Sequence, residues 1–109
     1  MNKLIFEADT LLRIRSFPVA AKHQAAYEIE RVQRDKKPEN GKLFTMAGHH
    51  VWEVPIQIYG QFHVLFLSKI ESKVHVLHVF EKKSKKTRQP DIDLAIRILN
   101  KLVGKEEFA

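Results

Sequence analysis

The chain has 109 residues, of which 44% are hydrophobic and 29% charged, and it contains no cysteine. This length suits one modest core and is too short for two, so we expect residues 1–109 to form a single domain. The lack of cysteine excludes disulfides and thiolate metal sites. Charged residues interrupt the first 20 positions, and no run of about 18 apolar residues follows, so neither a signal peptide nor a membrane span is expected. A cytoplasmic location is the resulting expectation.

The net charge gives the first indication of a partner. Lysine and arginine number 19 against 13 aspartates and glutamates, which gives +6 at pH 7. A basic excess of this size in a small chain favours nucleic acid as the partner. An acidic protein would fit the same charge, and basic surfaces also serve solubility.

The first third of the chain is predicted to form a short strand and two helices. Residues 4–6 (L-I-F) suit an edge strand, and Asp9 can cap a brief helix that runs through Ser16. Pro18 opens a second helix to about Arg34, since the first helical position needs no amide hydrogen. Its buried stripe is predicted to contain Ala25, Ala26, Ile29 and Val32. Residues 35–41 (D-K-K-P-E-N-G) are predicted to be a loop.

From Val51 onward the hydrophobic period is two, which predicts antiparallel strands at 51–58 and 61–68. We predict a three-residue loop between them with Gly60 left-handed, because this register sets Pro55 opposite His63 and keeps one face apolar. A two-residue loop at Tyr59 and Gly60 would set Ile56 opposite His63 and mix apolar with polar residues. A third strand, 74–80, is apolar on both faces, as expected of an interior strand.

The last predicted element is a helix. It begins near Pro90 and Asp91, where the carboxylate suits the positive end of the helix dipole. Gly104 is predicted to end it. Its apolar stripe contains Ile92, Ala95, Ile96, Leu99, Leu102 and Val103. The elements together predict an α+β fold with N-terminal helices, an antiparallel sheet of about four strands and a C-terminal helix.

A basic segment directly follows the third predicted strand. Residues 74–87 read V-H-V-L-H-V-F-E-K-K-S-K-K-T, so a buried strand fixes the place from which the lysines project. Such a segment can bind a polyanion at a defined position. The predicted RNA-binding residues are Lys82, Lys83, Lys85, Lys86 and Arg88. The alternative is a solvated loop that only contributes solubility.

Several segments carry a family resemblance, in the right order along the chain. They are L-I-F at 4–6, S-F-P at 16–18, A-A-Y-E-I-E-R-V-Q-R at 25–34, V-W-E-V at 51–54, V-L-H-V-F-E-K-K-S-K-K-T at 76–87 and D-I-D-L-A at 91–95. This set resembles the phage-derived, HigB-like branch of the RelE/ParE toxin superfamily. The resemblance implies a compact fold like that of microbial RNases and a type II toxin-antitoxin pair. It also implies ribosome-dependent cleavage of mRNA, inhibition of translation, and a helix-turn-helix antitoxin as partner.

The chain departs from the pattern of that branch at two positions. Where the branch typically reads E-[IL]-R, this sequence has Glu53, Val54 and Pro55, and where it reads [FY]-R-V, His63 stands in place of the arginine. In the predicted register both missing arginines fall at one site. A guanidinium fork binds two phosphate oxygens in a way that lysine and histidine do not reproduce.

RNA cleavage by a ribose 2′-oxygen needs a proton acceptor, a proton donor and positive groups around the phosphate. The catalytic candidates in this chain are His63 and Glu53 for proton transfer and Lys83 and Lys86 for charge. The alternative for His63 is a strand histidine that is hydrogen-bonded on a half-exposed face. Three functions therefore stay open: an endoribonuclease toxin, a protein of the same fold that binds antitoxin or RNA without cleaving, and a poison of DNA gyrase.

The remaining candidates favour structural roles. His75 and His78 are three residues apart in a predicted strand, so they should point to opposite faces and cannot share a metal ion. No metal or cofactor is expected. We predict His78 to be a satisfied core residue, and Trp52 to lie in the core rather than to stack on a base. His49 and His50 precede a strand, where they reach the same face as His63 or stay in solvent.

Overall fold

A computed structural model of the chain describes residues 1–82 and 89–107. The described elements are, in chain order, β1 (Lys3–Phe6), α1 (Thr10–Arg15), α2 (Val19–Gln33), β2 (Lys42–Met46), β3 (His49–Ile58), β4 (Gln61–Ile70), β5 (Lys73–Glu81) and α3 (Gln89–Glu107). The α+β class and the order of helices and strands are as predicted. The described sheet has five strands, whereas about four were predicted. The additional strand is β2, which the sequence analysis did not predict.

The strand order in the sheet is β1-β5-β4-β3-β2. The predicted meander of β3, β4 and β5 is confirmed, since these neighbours are antiparallel. The prediction of a wholly antiparallel sheet is wrong at β1, which pairs parallel with β5. A parallel pair needs a long connection, and the two helices and the three strands between β1 and β5 supply it.

The turns of the three described hairpins each contain two residues, and the turn between β3 and β4 corrects the predicted register. Tyr59 and Gly60 have φ values of 52° and 77°, as a type I′ turn requires. Ile58 therefore pairs with Gln61, Ile56 with His63 and Pro55 with Val64. The predicted pairing of Pro55 with His63 is wrong. Two left-handed residues fit the twist of the flanking strands, and this outweighs the strain of a positive φ at tyrosine.

A register shift between Phe66 and Leu67 of β4 changes the faces of β5. Phe66 pairs with His78, whereas Ser68, two residues further along β4, pairs with His75. Residues two apart in a strand share a face, and so do paired residues. His75 and His78 therefore lie on the same face of the sheet, and the prediction that they point to opposite faces is wrong. A β-bulge adds one residue to a strand and so breaks the alternation of its faces.

The sheet separates two cores. The α1/α2 face of the sheet packs on α1 and α2, and its buried cluster consists of Ile14, Phe17, Ala21, Ala25, Ile29, Val32, Val54, Ile56, Leu65, Leu67, Val74, Val76 and Val79. The α3 face packs on α3, with Met46, Val51, Val64, Phe66, Ile70, Leu77, Phe80, Ala95 and Leu99. Burying one such large side chain contributes about 1.5–3 kcal/mol relative to exposure. Burial on both faces explains why β5 reads as a continuous apolar run.

Three details of the helices differ from prediction. Asp9 precedes α1 but makes no side-chain cap, and its carboxylate accepts a 2.8 Å hydrogen bond from Arg13 Nε instead. Ala26 is exposed, whereas Glu28 is buried in α2. The Glu28 carboxylate accepts the backbone N–H groups of Glu39 and Asn40 at 3.0 and 2.9 Å. Gly104 does not end α3, which continues to Glu107.

The described helices include none that is both long and apolar enough to cross a membrane.

Candidate functional site

The end of β5 lies close to three of the predicted site residues, Glu53, His63 and Lys82, on one face of the sheet or the other. The backbone N–H of Lys82 donates to the Phe62 carbonyl at 2.8 Å, which continues the strand pairing one residue past β5. The starting point of the basic segment is therefore fixed, as the sequence predicted for Lys82. The other predicted RNA-binding residues, Lys83, Lys85, Lys86 and Arg88, lie outside the described residues.

On the α3 face, Glu53 and Lys82 approach each other at this end of the sheet. Lys82 Nζ lies 4.0 Å from Glu53 Oε1, and the two side chains are only 17% and 13% exposed. Lys42 of β2 is the cross-strand partner of Glu53 and stays exposed. Lys42 was missed because β2 was not predicted. The Glu53 carboxylate thus lies close to one semi-buried ammonium group and has a second, exposed lysine at the paired position of the neighbouring strand.

His78 and Asp91 form a buried contact between β5 and α3. His78 Nε2 lies 2.8 Å from Asp91 Oδ1, and His78 is 5% exposed. Its ring stacks on Phe80, with centroids 5.4 Å apart and an interplanar angle of 18°. Asp91 lies in the first turn of α3, so the contact ties α3 to β5. The prediction that His78 is a satisfied core residue is confirmed.

His63 lies on the α1/α2 face, where it stacks on Phe17. Their ring centroids are 4.1 Å apart, at an interplanar angle of 30°. His63 Nε2 is buried and has no hydrogen-bond partner in the described part of the chain. Burial lowers the pKa of His63 below its usual 6.5, against the opposing effect of the Glu81 charge. The imidazole is consequently held neutral at pH 7, and the expected hydrogen bond is missing at Nε2.

The structure does not bring the two predicted proton-transfer groups together. Glu53 pairs with Phe66, which belongs to the α3 face, whereas His63 pairs with Ile56 of the α1/α2 face. Glu53 and His63 therefore project from opposite faces of the sheet. Pro55 pairs with Val64 and shares the face of Glu53. The two positions at which the resembling branch has arginine are likewise separated by the sheet.

A pocket of about 220 Å³ opens beside His63. It lies between the α1–α2 connection and the end of β5, and its lining is Arg13, Ser16, Phe17, Pro18, His63, Val79, Phe80 and Glu81. Arg13 Nη1 donates to the Val79 carbonyl at 3.3 Å, which holds α1 against β5. Sequence reasoning missed this pocket. Strand alternation alone predicts that Glu81 and Lys82 project from opposite faces of the sheet. The position of Glu81 beside His63, however, depends on the register between β4 and β5, which the sequence analysis did not predict.

The remaining candidates lie elsewhere or serve the fold. His49 and His50 belong to β3 itself, next to its hairpin with β2, and Ser68 Oγ donates to the His50 carbonyl at 2.8 Å. Trp52 is half-buried and packs against the α1/α2 core, as predicted. The described residues contain no group of three or more side chains that could hold a metal ion.

The chain belongs to the family described as Phage derived protein Gp49-like (DUF891), whose match covers residues 13–100. The Gp49-like family is a RelE-like toxin family. No curated protein and no solved structure matches the chain. The matched range includes the second half of α1, all of α2, the strands β2 to β5 and most of α3, and hence both sides of the candidate site.

Proposed function

We propose that the protein is the toxin of a type II toxin-antitoxin pair, of the HigB-like kind, which cleaves mRNA on the ribosome and thereby inhibits translation. The observation that carries this proposal is the anchored start of the basic segment. Lys82 is fixed by its backbone bond to Phe62 and lies beside Glu53 on one face of the sheet. An anchored lysine next to a carboxylate, followed in the sequence by further cations, supplies two of the three requirements of RNA cleavage: phosphate binding and a proton acceptor.

In this mechanism Glu53 accepts the proton of the ribose 2′-hydroxyl as the oxygen attacks the adjacent phosphate. A 2′,3′-cyclic phosphate forms as the bond between phosphorus and the 5′-oxygen breaks, and the leaving oxygen takes a proton from water. The developing negative charge is neutralised by Lys82 and by the cations that follow it, among them Lys83 and Lys86 as catalytic groups. Lys85 and Arg88 bind neighbouring phosphates. His63 projects from the other face, so it is not assigned to proton transfer on the phosphate that Glu53 serves.

The proposed partner is a helix-turn-helix antitoxin encoded beside the toxin. An apolar groove between β1, α1 and α2 supports binding of a protein segment. Its volume is about 490 Å³. Leu4, Phe6 and Ile14 lie in its lining, together with Arg15 and Lys22. Apolar contacts flanked by cations suit an amphipathic segment that carries acidic residues.

A second candidate is a protein of the same fold that binds antitoxin or RNA but cleaves poorly. Two observations favour it. Proline and histidine stand at 55 and 63 in place of arginine, and Glu53 and His63 project from opposite faces of the sheet. Without a guanidinium group, stabilisation of the transition state rests on lysines, which lack the planar fork of arginine. A gyrase poison is the third reading, and no observation on this chain favours it.

Induced expression with and without the adjacent reading frame tests the proposal. We expect growth arrest and shortened messages within minutes, relief by the partner, and loss of both effects in Glu53→Gln with partner binding retained. Glu71→Gln, in the turn after β4, is the matched control and should be as toxic as the parent. Intact messages at high protein levels would favour the binding-only candidate, and DNA breaks with intact messages would favour the gyrase reading.

A further inference from the structure

We propose that the pocket beside His63 binds one base of the RNA strand, and that guanine is the preferred base. The proposal rests on the RNA-binding function proposed above and names the part of the substrate that this pocket recognises. Neither the catalytic candidates on the α3 face nor the basic segment accounts for this pocket.

The size and the walls of the pocket suit one planar ring. Its volume is about 220 Å³, and its lining combines the Phe17 and His63 rings with Pro18. Bases in single strands are commonly held by stacking on aromatic side chains, histidine included. The close stacking of His63 on Phe17, at 4.1 Å between centroids, fixes the imidazole plane in advance. Stacking of a base on this imidazole therefore does not require a further side chain to become ordered.

The charges of the pocket favour a base over a phosphate. Glu81 is exposed on the pocket rim, and its carboxylate repels phosphate. Arg13 is already engaged, because its Nε donates to Asp9 at 2.8 Å and its Nη1 donates to the Val79 carbonyl. His63 adds no positive charge at pH 7, since burial lowers its pKa. Phosphate binding is thereby left to the lysines on the other face.

The preference for guanine follows from Glu81. An ionised carboxylate only accepts hydrogen bonds, and it has two oxygens side by side. Guanine presents two adjacent donors, N1–H and the N2 amine, on its Watson–Crick edge. Adenine, cytosine and uracil each present only one donor on that edge, next to an acceptor that the carboxylate would repel. A bidentate contact of this kind discriminates between bases by roughly 1–3 kcal/mol, or about 5- to 150-fold.

The position of the pocket fits a strand that also reaches the basic segment. Glu81 and Lys82 are consecutive, and they project from opposite faces where β5 ends. An RNA strand that crosses this end can place a base against His63 and Glu81 on one face. The following phosphates then lie beside Lys82 on the other face. The same crossing delivers the adjacent ribose to Glu53, which lies near Lys82.

Binding of short, uncleavable RNAs to the full chain tests this pocket separately from catalysis. The probes are 2′-O-methylated pentamers that differ only in the central base, and the readout is fluorescence anisotropy. We expect the guanine pentamer to bind about tenfold more tightly than the adenine pentamer. Glu81→Gln should reduce this ratio to about twofold or less, because one acceptor remains. Glu71→Gln, the same change at the opposite end of β4, should leave the ratio unchanged.

Two His63 variants test the stacking wall. His63→Ala should weaken all four pentamers by a similar factor of about tenfold, since stacking on an aromatic ring is insensitive to base identity. His63→Phe keeps an aromatic ring and should restore most of that affinity. If the loss of affinity came from unfolding, both variants would bind the pentamers weakly. Recovery of affinity in His63→Phe alone therefore shows that the aromatic ring is needed for stacking on the base.

The outcomes distinguish this proposal from the function on which it rests. Equal affinity for the four pentamers, or a base preference that survives Glu81→Gln, overturns the pocket proposal alone. A guanine preference lost in Glu81→Gln supports it even if the protein cleaves no message. If no pentamer binds, the pocket proposal is overturned, and the toxin function, which acts on the ribosome, is judged by the expression test alone. If Glu81→Gln instead weakens only antitoxin binding, the pocket accepts a protein side chain and the RNA proposal is overturned.

Discussion

The two faces of the sheet differ most where β5 ends. On the α3 face, Glu53 and Lys82 lie next to each other, and the basic segment begins there. On the α1/α2 face, His63 and Phe17 form the wall of a pocket whose lining also contains Arg13 and Glu81. Consecutive residues of one strand therefore serve different surfaces. A site inferred from residues that are close in sequence has to be checked against the face from which each one projects.

The two faces also differ in whether their buried polar groups have hydrogen-bond partners. The α3 face contains two histidine-carboxylate pairs, His78 with Asp91 and His75 with Glu7, each at 2.8 Å. On the α1/α2 side, two buried polar atoms, Thr10 Oγ1 and His63 Nε2, have no hydrogen-bond partner within the described residues. Buried polar groups on the α3 face are thus satisfied by one another, which makes that face rigid where charge is concentrated.

The largest expected effect concerns the aromatic core of the α3 face. Phe66 is fully buried and packs on Phe80, with centroids 5.3 Å apart. Phe66→Ala should lower the free energy of unfolding by about 3–5 kcal/mol, measured by urea denaturation. Leu67→Ala, at the adjacent position on the α1/α2 face, should cost about 2–5 kcal/mol.

RNA binding should separate these two variants. Phe66 lies beside His78, so its loss should also loosen the anchor of the basic segment and weaken RNA binding under conditions in which both variants are folded. Leu12→Ala is the control for truncation of an apolar side chain, because Leu12 is 70% exposed and its loss should change stability by no more than about 0.5 kcal/mol. Equal losses of RNA affinity in Phe66→Ala and Leu67→Ala would argue against the difference between the faces.

The sequence predicted the elements better than their register. The period of two and the helical stripes located both long helices and four of the five described strands. β2 was not predicted because its apolar residues Leu43 and Phe44 are adjacent in the sequence and do not alternate with polar residues. In the structure both side chains are exposed. The register of the first long hairpin was wrong for a different reason. The longer loop was preferred because it kept one face apolar, whereas the structure pairs His63 with Ile56 on the apolar α1/α2 face, across a two-residue turn at Tyr59 and Gly60.

The second prediction concerns the two positions where the resembling branch has arginine. Pro55→Arg adds a guanidinium group on the face of Glu53, and a charge-assisted hydrogen bond to phosphate should raise cleavage by about tenfold or more. Pro55 also lacks an amide hydrogen, so its replacement can tighten the pairing with β4. His63→Arg should leave cleavage unchanged or lower it, because it projects from the other face.

The double variant completes this test. Groups that share no partner contribute independently. The change in cleavage rate of the Pro55→Arg, His63→Arg double variant should therefore equal the product of the changes in the two single variants. The measurement is the cleavage rate of a defined message in a translation extract. Strong positive coupling between the two arginines would mean that they act on one phosphate, and would contradict the separation of the two positions by the sheet.

The third prediction isolates the charge of Lys82. Lys82→Gln should weaken RNA binding by a few-fold at physiological salt and reduce the slope of log affinity against log salt by about 0.7, as expected for one single-strand phosphate contact. Lys69→Gln is the matched control, because Lys69 lies towards the other end of β4, where it pairs with Asp35. A salt slope that is the same in both variants would assign Lys82 to the fold rather than to RNA.

The smallest expected effect is the pH dependence that His63 gives to stability. Burial lowers its pKa in the folded state, so between that pKa and the unfolded value of 6.5 the unfolded chain binds more protons. The folded state is therefore favoured above pH 6.5, and this contribution is lost as the pH falls through the folded pKa. His63→Gln should reduce the change in unfolding free energy between pH 7.5 and pH 5.5. The pKa values of Asp9 and Asp35 are lowered by the hydrogen bonds from Arg13 and Lys69, so these carboxylates act on stability at lower pH. If His63→Gln keeps the full slope, the pocket is hydrated around the imidazole, and a base would have to displace that water in order to stack.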